Sequence, residues 1–142
     1  MAHHVAVFAE NKPGRIERIA AVLADAGVNI RAITIATTDT FGVVKLLVDD
    51  PRRAHTALAA AGLTAHLREI VAVVMDDRPG GLREVARVLA AAGVNVEGAY
   101  GFVVEDKRRA VLVVEVERVP EAAALLAKAG AATLTDEEIY RL

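Results

Sequence analysis

The chain contains no cysteine and, read position by position, no serine. Without cysteine there is no disulfide framework, no thiolate nucleophile and no Cys-x-x-Cys loop to hold a zinc ion or an iron–sulfur cluster. Without serine the second of the usual covalent nucleophiles is missing as well. Aromatic residues make up only 4% of the chain. The strand-forming stretches are mostly aliphatic, the first offering only Phe8, so a sheet that reads RNA by stacking bases lacks its platforms. A formal charge of −2 with the two signs interspersed leaves no cationic footprint for nucleic acid or for an anionic membrane. Arg52-Arg53 and Lys107-Arg108-Arg109 are short runs of solvated charge. No apolar run approaches the length of a membrane span, and His3 and His4 stand where a secretory signal would need its apolar stretch to begin. A cytoplasmic protein is expected. The histidines at 3, 4, 55 and 66 share no metal-ligand spacing, and Asp49-Asp50 and Asp76-Asp77 bring too few oxygens for a cation, so neither a metal nor a cofactor is expected.

What the chain does have is apolar material, 54% of its 142 residues, and an internal repeat. Shifting residues 5–36 by 66 positions lays Val5-Ala6-Val7 on Val71-Ala72-Val73, Pro13-Gly14 on Pro79-Gly80 and Gly27-Val28-Asn29 on Gly93-Val94-Asn95. Thirteen of these thirty-two positions are identical, which periodicity alone does not produce. Beyond the second strand the offset becomes 68, pairing Val48 with Val116 and Gly62 with Gly130, and the two extra residues are expected in the turn at 105–109. The repeat predicts two domains, residues 1–69 and 70–142.

Each copy reads as a buried strand, a polar loop, an amphipathic helix and a glycine-containing turn. Ile16, Ile19, Ala20, Leu23 and Ala26 recur at helical spacing, and Leu82, Val85, Ala86, Leu89 and Ala92 repeat the pattern. Two β-rich runs then form a hairpin, with Ile30 and Ala32 expected on one face and Ile33 and Ile35 on the other. A second helix follows, and a last strand closes the first copy. In the second copy that strand should be short, because Thr135-Asp136-Glu137-Glu138 has the spacing of a capping box. The four prolines, at 13, 51, 79 and 120, all fall at expected helix starts, where their fixed φ and missing N–H cost nothing. The order is β-α-β-β-α-β twice. This predicts an α+β protein of two tandem ferredoxin-like domains, each an antiparallel sheet with helices on one face. A 70-residue half with one bare sheet face should pair, and open sheet edges make a homodimer the expected assembly.

The loop-and-helix cassettes Asn11-Lys12-Pro13-Gly14-Arg15-Ile16 and Asp77-Arg78-Pro79-Gly80-Gly81-Leu82, each followed by Ala-Gly-Val-Asn at 26–29 and 92–95, resemble the ACT domain family. Phe41-Gly42-Val43, Val48-Asp49-Asp50-Pro51 and Ala99-Tyr100-Gly101-Phe102 add to a likeness with small proteins made only of two ACT domains. The resemblance implies a regulatory module, not an enzyme, that binds a small molecule, usually an amino acid, where two ACT domains meet and passes its occupancy to a metabolic enzyme. It implies two pseudo-equivalent sites, Asn11 and Gly14 with Asn95, and Asp77, Gly80 and Gly81 with Asn29. A carboxamide can both donate to a carboxylate and accept from an ammonium, whereas the ionised Asp77 only accepts, so the two sites should be unequal. Other readings stand beside this one. Asn11 and Asp77 have the residue types of helix caps, and Asn29 and Asn95 those of turn residues that satisfy backbone. Tyr100 and Phe102 read as packing residues. A regulatory subunit whose ligand site is degenerate is the alternative function.

Overall fold

A computed structural model describes residues 2–104 and 108–142. The turn expected to absorb the two extra residues falls on Glu105, Asp106 and Lys107, which lie outside the described residues. The chain divides into two compact units, His3–Arg68 and Glu69–Tyr140. Ala2 groups with the second, its carbonyl accepting from the Ile70 N–H at 3.0 Å.

The first unit runs β1 (His3–Glu10), α1 (Arg15–Asp25), β2 (Ile30–Thr37), β3 (Phe41–Val48), α2 (Pro51–Ala60) and β4 (Thr64–Glu69), with sheet order β2-β3-β1-β4. Antiparallel ladders join β3 to both β1 and β2. Val5, Val7, Val44, Leu46 and Val48 on the sheet meet Ile19, Leu23, Ala54 and Leu58 on the helices. Leu23 and Leu58 are fully buried, and truncating a leucine so placed costs about 2–5 kcal/mol.

The second unit runs β5 (Val71–Asp76), α3 (Gly81–Ala91), β6 (Val96–Val103), β7 (Arg109–Val116), α4 (Val119–Lys128) and α5 (Asp136–Tyr140), with sheet order β5-β7-β6. Its core repeats the first, with Val73, Val114, Leu89 and Leu126 at its centre. The fourth strand shrinks to a bridge between Val73 and Thr133, flanked by bonds from Val74 N to Ala132 O at 2.7 Å and from Leu134 N to Ala72 O at 3.0 Å. The expected capping box ends it. Glu138 N donates to Thr135 Oγ1 at 3.2 Å and Thr135 N donates to Glu138 Oε2 at 2.8 Å, starting α5 instead of extending a strand.

Two sequence expectations are corrected. Pro13 and Pro79 do not open their helices, which begin two residues later at Arg15 and Gly81. Gly14 (φ 86°, ψ −5°) and Gly80 (φ 88°, ψ −8°) take the left-handed values of the third residue of a type II turn, and proline is favoured just before that position. Gly81 N bonds to Arg78 O at 3.0 Å across the second of these turns. Pro51 does open α2, and Pro120 is the second residue of α4. The second correction concerns β2. A register shift between Ile30 and Ala32 inserts a bulge, so Ile30, Ile33 and Ile35 lie opposite Val48, Leu46 and Val44 on the helix-covered face, and Ala32 turns to the other.

The second helices differ in how they start. Asp50 accepts from Arg53 N at 3.1 Å, whereas Arg118, its counterpart before α4, makes no side-chain cap. Asp50→Ala should therefore cost about 1 kcal/mol, and Arg118→Asp should stabilise by about 0.5–1 kcal/mol, both read from urea unfolding midpoints.

Candidate functional site

β1 ends at Glu10 and the chain turns through Asn11 and Lys12 before Pro13-Gly14 redirect it into α1. Two bonds fasten this loop to the β2–β3 turn: Asn11 N donates to Thr40 O at 2.8 Å, and Asn11 Nδ2 donates to Thr38 O at 3.3 Å. The position before α1 belongs to Gly14, with no side-chain cap, so Asn11 is a loop anchor and not a helix cap. The first bond of the helix runs from Arg18 N to Gly14 O, which leaves the N–H groups of residues 15–17 without intrahelical partners.

Beside this loop lies a groove of about 200 Å³. Ala9, Ile16, Ile35 and Val44 form its apolar walls, and Glu10, Asn11, Lys12 and Arg15 its polar side. Ile16 on α1 and Ile35 on β2 are 38% and 47% exposed, high for side chains of that size facing the helix–sheet layer. The Glu10 carboxylate sits between two cations, 3.1 Å from Lys12 Nζ and 3.5 Å from Arg15 Nη2. Lys12 first, then Arg15, holds its carboxyl below the usual carboxylate range. The pairing is therefore complete at neutral pH and is lost only as the pH falls through that lowered value. Arg15 is the partly sequestered member, with 18% of its side chain exposed. Its Nε is buried and makes no hydrogen bond among the described residues.

The second unit keeps the backbone and changes the chemistry. Asp77 N donates to Arg108 O at 2.8 Å, matching the Asn11 anchor, and Gly80 matches Gly14. As at Asn11, the position before the helix is a glycine, so Asp77 is not the cap of α3. Arg78 reaches Glu84 Oε1 at 2.6 Å, Asp76 Oδ2 at 3.3 Å and the carbonyl of Pro79 at 3.3 Å. Glu84 and then Asp76 hold the guanidinium more firmly protonated than usual. The residue aligned with Arg15 is Gly81, where a Cβ would collide with the carbonyl oxygen of Asp76. Across from it, Ile35 is replaced by Gly101, which has the Met75 side chain at 3.7 Å from where its Cβ would be.

Asn29 and Asn95 sit at the far ends of their helices. The eleven residues of α1, about 16 Å along its axis, lie between the Asn11 loop and Asn29. Asn29 N donates to Asp49 Oδ1 at 2.9 Å, and Asp49 N donates to Asn29 O at 3.1 Å. Asn95 lines a cleft of about 270 Å³ with Glu97, Glu117, Arg118 and Glu121. Tyr100 is largely buried, and burial together with the Glu115 carboxylate raises its phenol pKa, as befits a packing residue. Residue types alone did not single out Glu10, Lys12, Arg15 and Ile35. The available signal was the break in the repeat, Arg15 against Gly81 and Ile35 against Gly101. Among the described residues no three His, Asp or Glu side chains gather to hold a metal, and no described helix is long and apolar enough to cross a membrane.

Two βαββαβ units in tandem, each presenting a loop and a helix start beside its sheet, define a pair of ferredoxin-like domains. The chain belongs to the ACT domain pair family, whose model matches residues 1–141. Among solved structures it is similar to protein BT0572 from Bacteroides thetaiotaomicron, at 28% identity and a TM-score of 0.93 over 99% of this chain and 96% of that one. It also shares its fold with the regulatory subunit of aspartate kinase from Thermus thermophilus, at 20% identity and a TM-score of 0.65 over 91% and 93% of the two chains. Aspartokinase alpha and beta subunits match at 18% identity and a TM-score of 0.58, over 89% and 92%. No protein of curated function matches the chain.

The glycines that shape the loops have separable roles. No heavy atom lies within 4 Å of a Cβ built on Gly14, so Gly14→Ala should cost only the left-handed backbone penalty, about 1–2 kcal/mol. Gly81→Ala must displace backbone and should cost about 1–3 kcal/mol. Thermal unfolding of the two variants checks both.

Proposed function

We propose that this protein is a cytoplasmic sensor of a small amino-acid-like metabolite, acting as a homodimer that reports occupancy to a metabolic enzyme. The single observation that carries the reading is the groove of the first unit, where an anchored loop, an open left-handed glycine and a sequestered cation adjoin an apolar wall. A ligand with a carboxylate and a compact body meets complementary groups there. The carboxamide of Asn11 and the unpaired N–H groups at the start of α1 complete a polar end suited to a carboxylate with a neighbouring amine. The family is one of regulatory domains, and two of the similar structures are regulatory or assembled subunits of aspartate kinases, which supports an output through a partner.

The test is a thermal-shift screen of the full chain against the twenty amino acids and related acids. A ligand at a hundred times its Kd stabilises the folded state by about 2.7 kcal/mol, a shift of several degrees for a protein of this size. We expect a selective hit that weakens in Asn11→Ala. Asn29→Ala, Asn95→Ala and Asp77→Ala read whether the remaining sequence-derived positions, with Gly80 and Gly81 between them, take part. A flat screen at millimolar ligand refutes the sensor reading in favour of a subunit that binds its enzyme without a ligand.

A further inference from the structure

We infer that only the first cassette is a ligand site, and that it takes a carboxylic acid with a branched aliphatic body, the carboxylate on Arg15 and the body against Ile16 and Ile35. The inference rests on the sensor reading and names its ligand class and stoichiometry.

Three observations carry it. First, Arg15 combines a formal charge, 18% side-chain exposure and a buried Nε that makes no hydrogen bond among the described residues. The buried Nε holds the guanidinium in place while its terminal nitrogens keep donors to spare, and a carboxylate takes two of these in parallel. Glu10 meets the guanidinium at Nη2, at a long 3.5 Å, and is itself shared with Lys12, so an incoming acid exchanges a loose contact for a closer pair. Second, the walls beyond the cation are aliphatic. Ile16 and Ile35 keep more than a third of their surface in water, and a branched hydrocarbon laid between them removes apolar area on both sides. Among the described residues the groove is lined by no second arginine, no histidine and no acid other than Glu10, so a dicarboxylate or a basic side chain finds no counter-charge at its apolar end. Third, the second unit lacks the cation and one of the two walls, keeping only Leu82 where the first unit has Ile16. Residues 10–18 carry three cations against two carboxylates, and residues 76–84 carry two cations against three. Gly81 supplies no guanidinium, Gly101 supplies no wall, and Arg78 is already engaged by Glu84 and Asp76.

Isothermal titration of the full chain with leucine, 4-methyl-2-oxopentanoate, leucinol and glutamate tests this. Leucine or the oxo acid, or both, should bind at one site per chain, and their ratio tells whether the amino group is read. Leucinol, which lacks the carboxylate, and glutamate should bind at least about tenfold more weakly, the scale of one charge-assisted hydrogen bond. Arg15→Gln should lose a similar factor, Arg15→Lys should recover part of it, and Arg78→Gln should leave binding unchanged. Melting temperatures of the unliganded variants, expected to stay near that of the parent, separate loss of the site from loss of the fold. Should Arg15→Gln unfold, Ile35→Thr supplies the second arm and is expected to weaken leucine more than alanine. Two sites per chain, equal binding of leucinol, or a selective hit on a polar or basic amino acid that survives Arg15→Gln overturns this inference and leaves the sensor reading standing. A flat response to all twenty amino acids and to the oxo acid removes both.

Discussion

The structure of each unit depends on one tight turn. A chain leaving the end of a sheet strand must reverse within a few residues for its helix to lie back over the sheet, and the Pro-Gly pair supplies that reversal by combining a fixed φ with a left-handed one. Gly14 at φ 86° and Gly80 at φ 88° do the same work 66 residues apart. Once the turn is set, α1 and α3 place Ile19 and Leu23, or Val85 and Leu89, over the central strands, and the core follows. The turn also determines where the loop before it can go, which is why Asn11 and Asp77 both anchor their backbone N–H on the neighbouring hairpin turn. Fold and candidate site thus share a single backbone device.

Beyond that device the two copies have parted. Arg18 donates to the carbonyl of Ala61 at 2.7 Å, closing the end of α2 against α1. Its counterpart Glu84 cannot donate, so it turns back to Arg78 and leaves the end of α4 without that tie. A cleft of about 290 Å³ opens there, between Glu84, Arg87 and Val88 on α3 and residues 129–132. One exchange of sign accounts for two differences: the second unit gains a clamp over its loop and loses a brace between its helices. Packing residues are kept or changed conservatively between the copies: Leu23 recurs as Leu89, and Ile19 becomes Val85.

That contrast explains how far the sequence could be read. Element order, the two helices per unit, the shortened last strand and the capping box were legible because each rests on local rules: periodicity, glycine stops and short-range caps. The starts of α1 and α3 were misplaced because proline suits both a first helical position and the second position of a turn, and only the glycine after it decides between them. The faces of β2 were misassigned because a single bulge resets alternation, and nothing in Ile30-Arg31-Ala32 announces one. At the candidate site the loop residues Asn11 and Gly14 could be named through the family resemblance of their cassette. Arg15 and Ile35 could not, because one lies on a helix and the other on a strand twenty residues away, and only the folded unit puts them on one groove.

Repeats of this kind let a protein separate what must be conserved from what can be exchanged. The turn and the core are over-determined, since a glycine with positive φ and a set of interlocked aliphatics have few substitutes. The residues that line the groove beside the turn are held by neither constraint, so an exchange of arginine for glycine or of isoleucine for glycine alters charge and shape while the unit keeps its fold. In the second copy those steps are coupled: with Gly81 in place of a side chain, the backbone approaches the Asp76 carbonyl so closely that no Cβ fits. A cation therefore returns there only with a shift of the backbone, and the asymmetry between the two cassettes is built into the backbone as well as into the side chains.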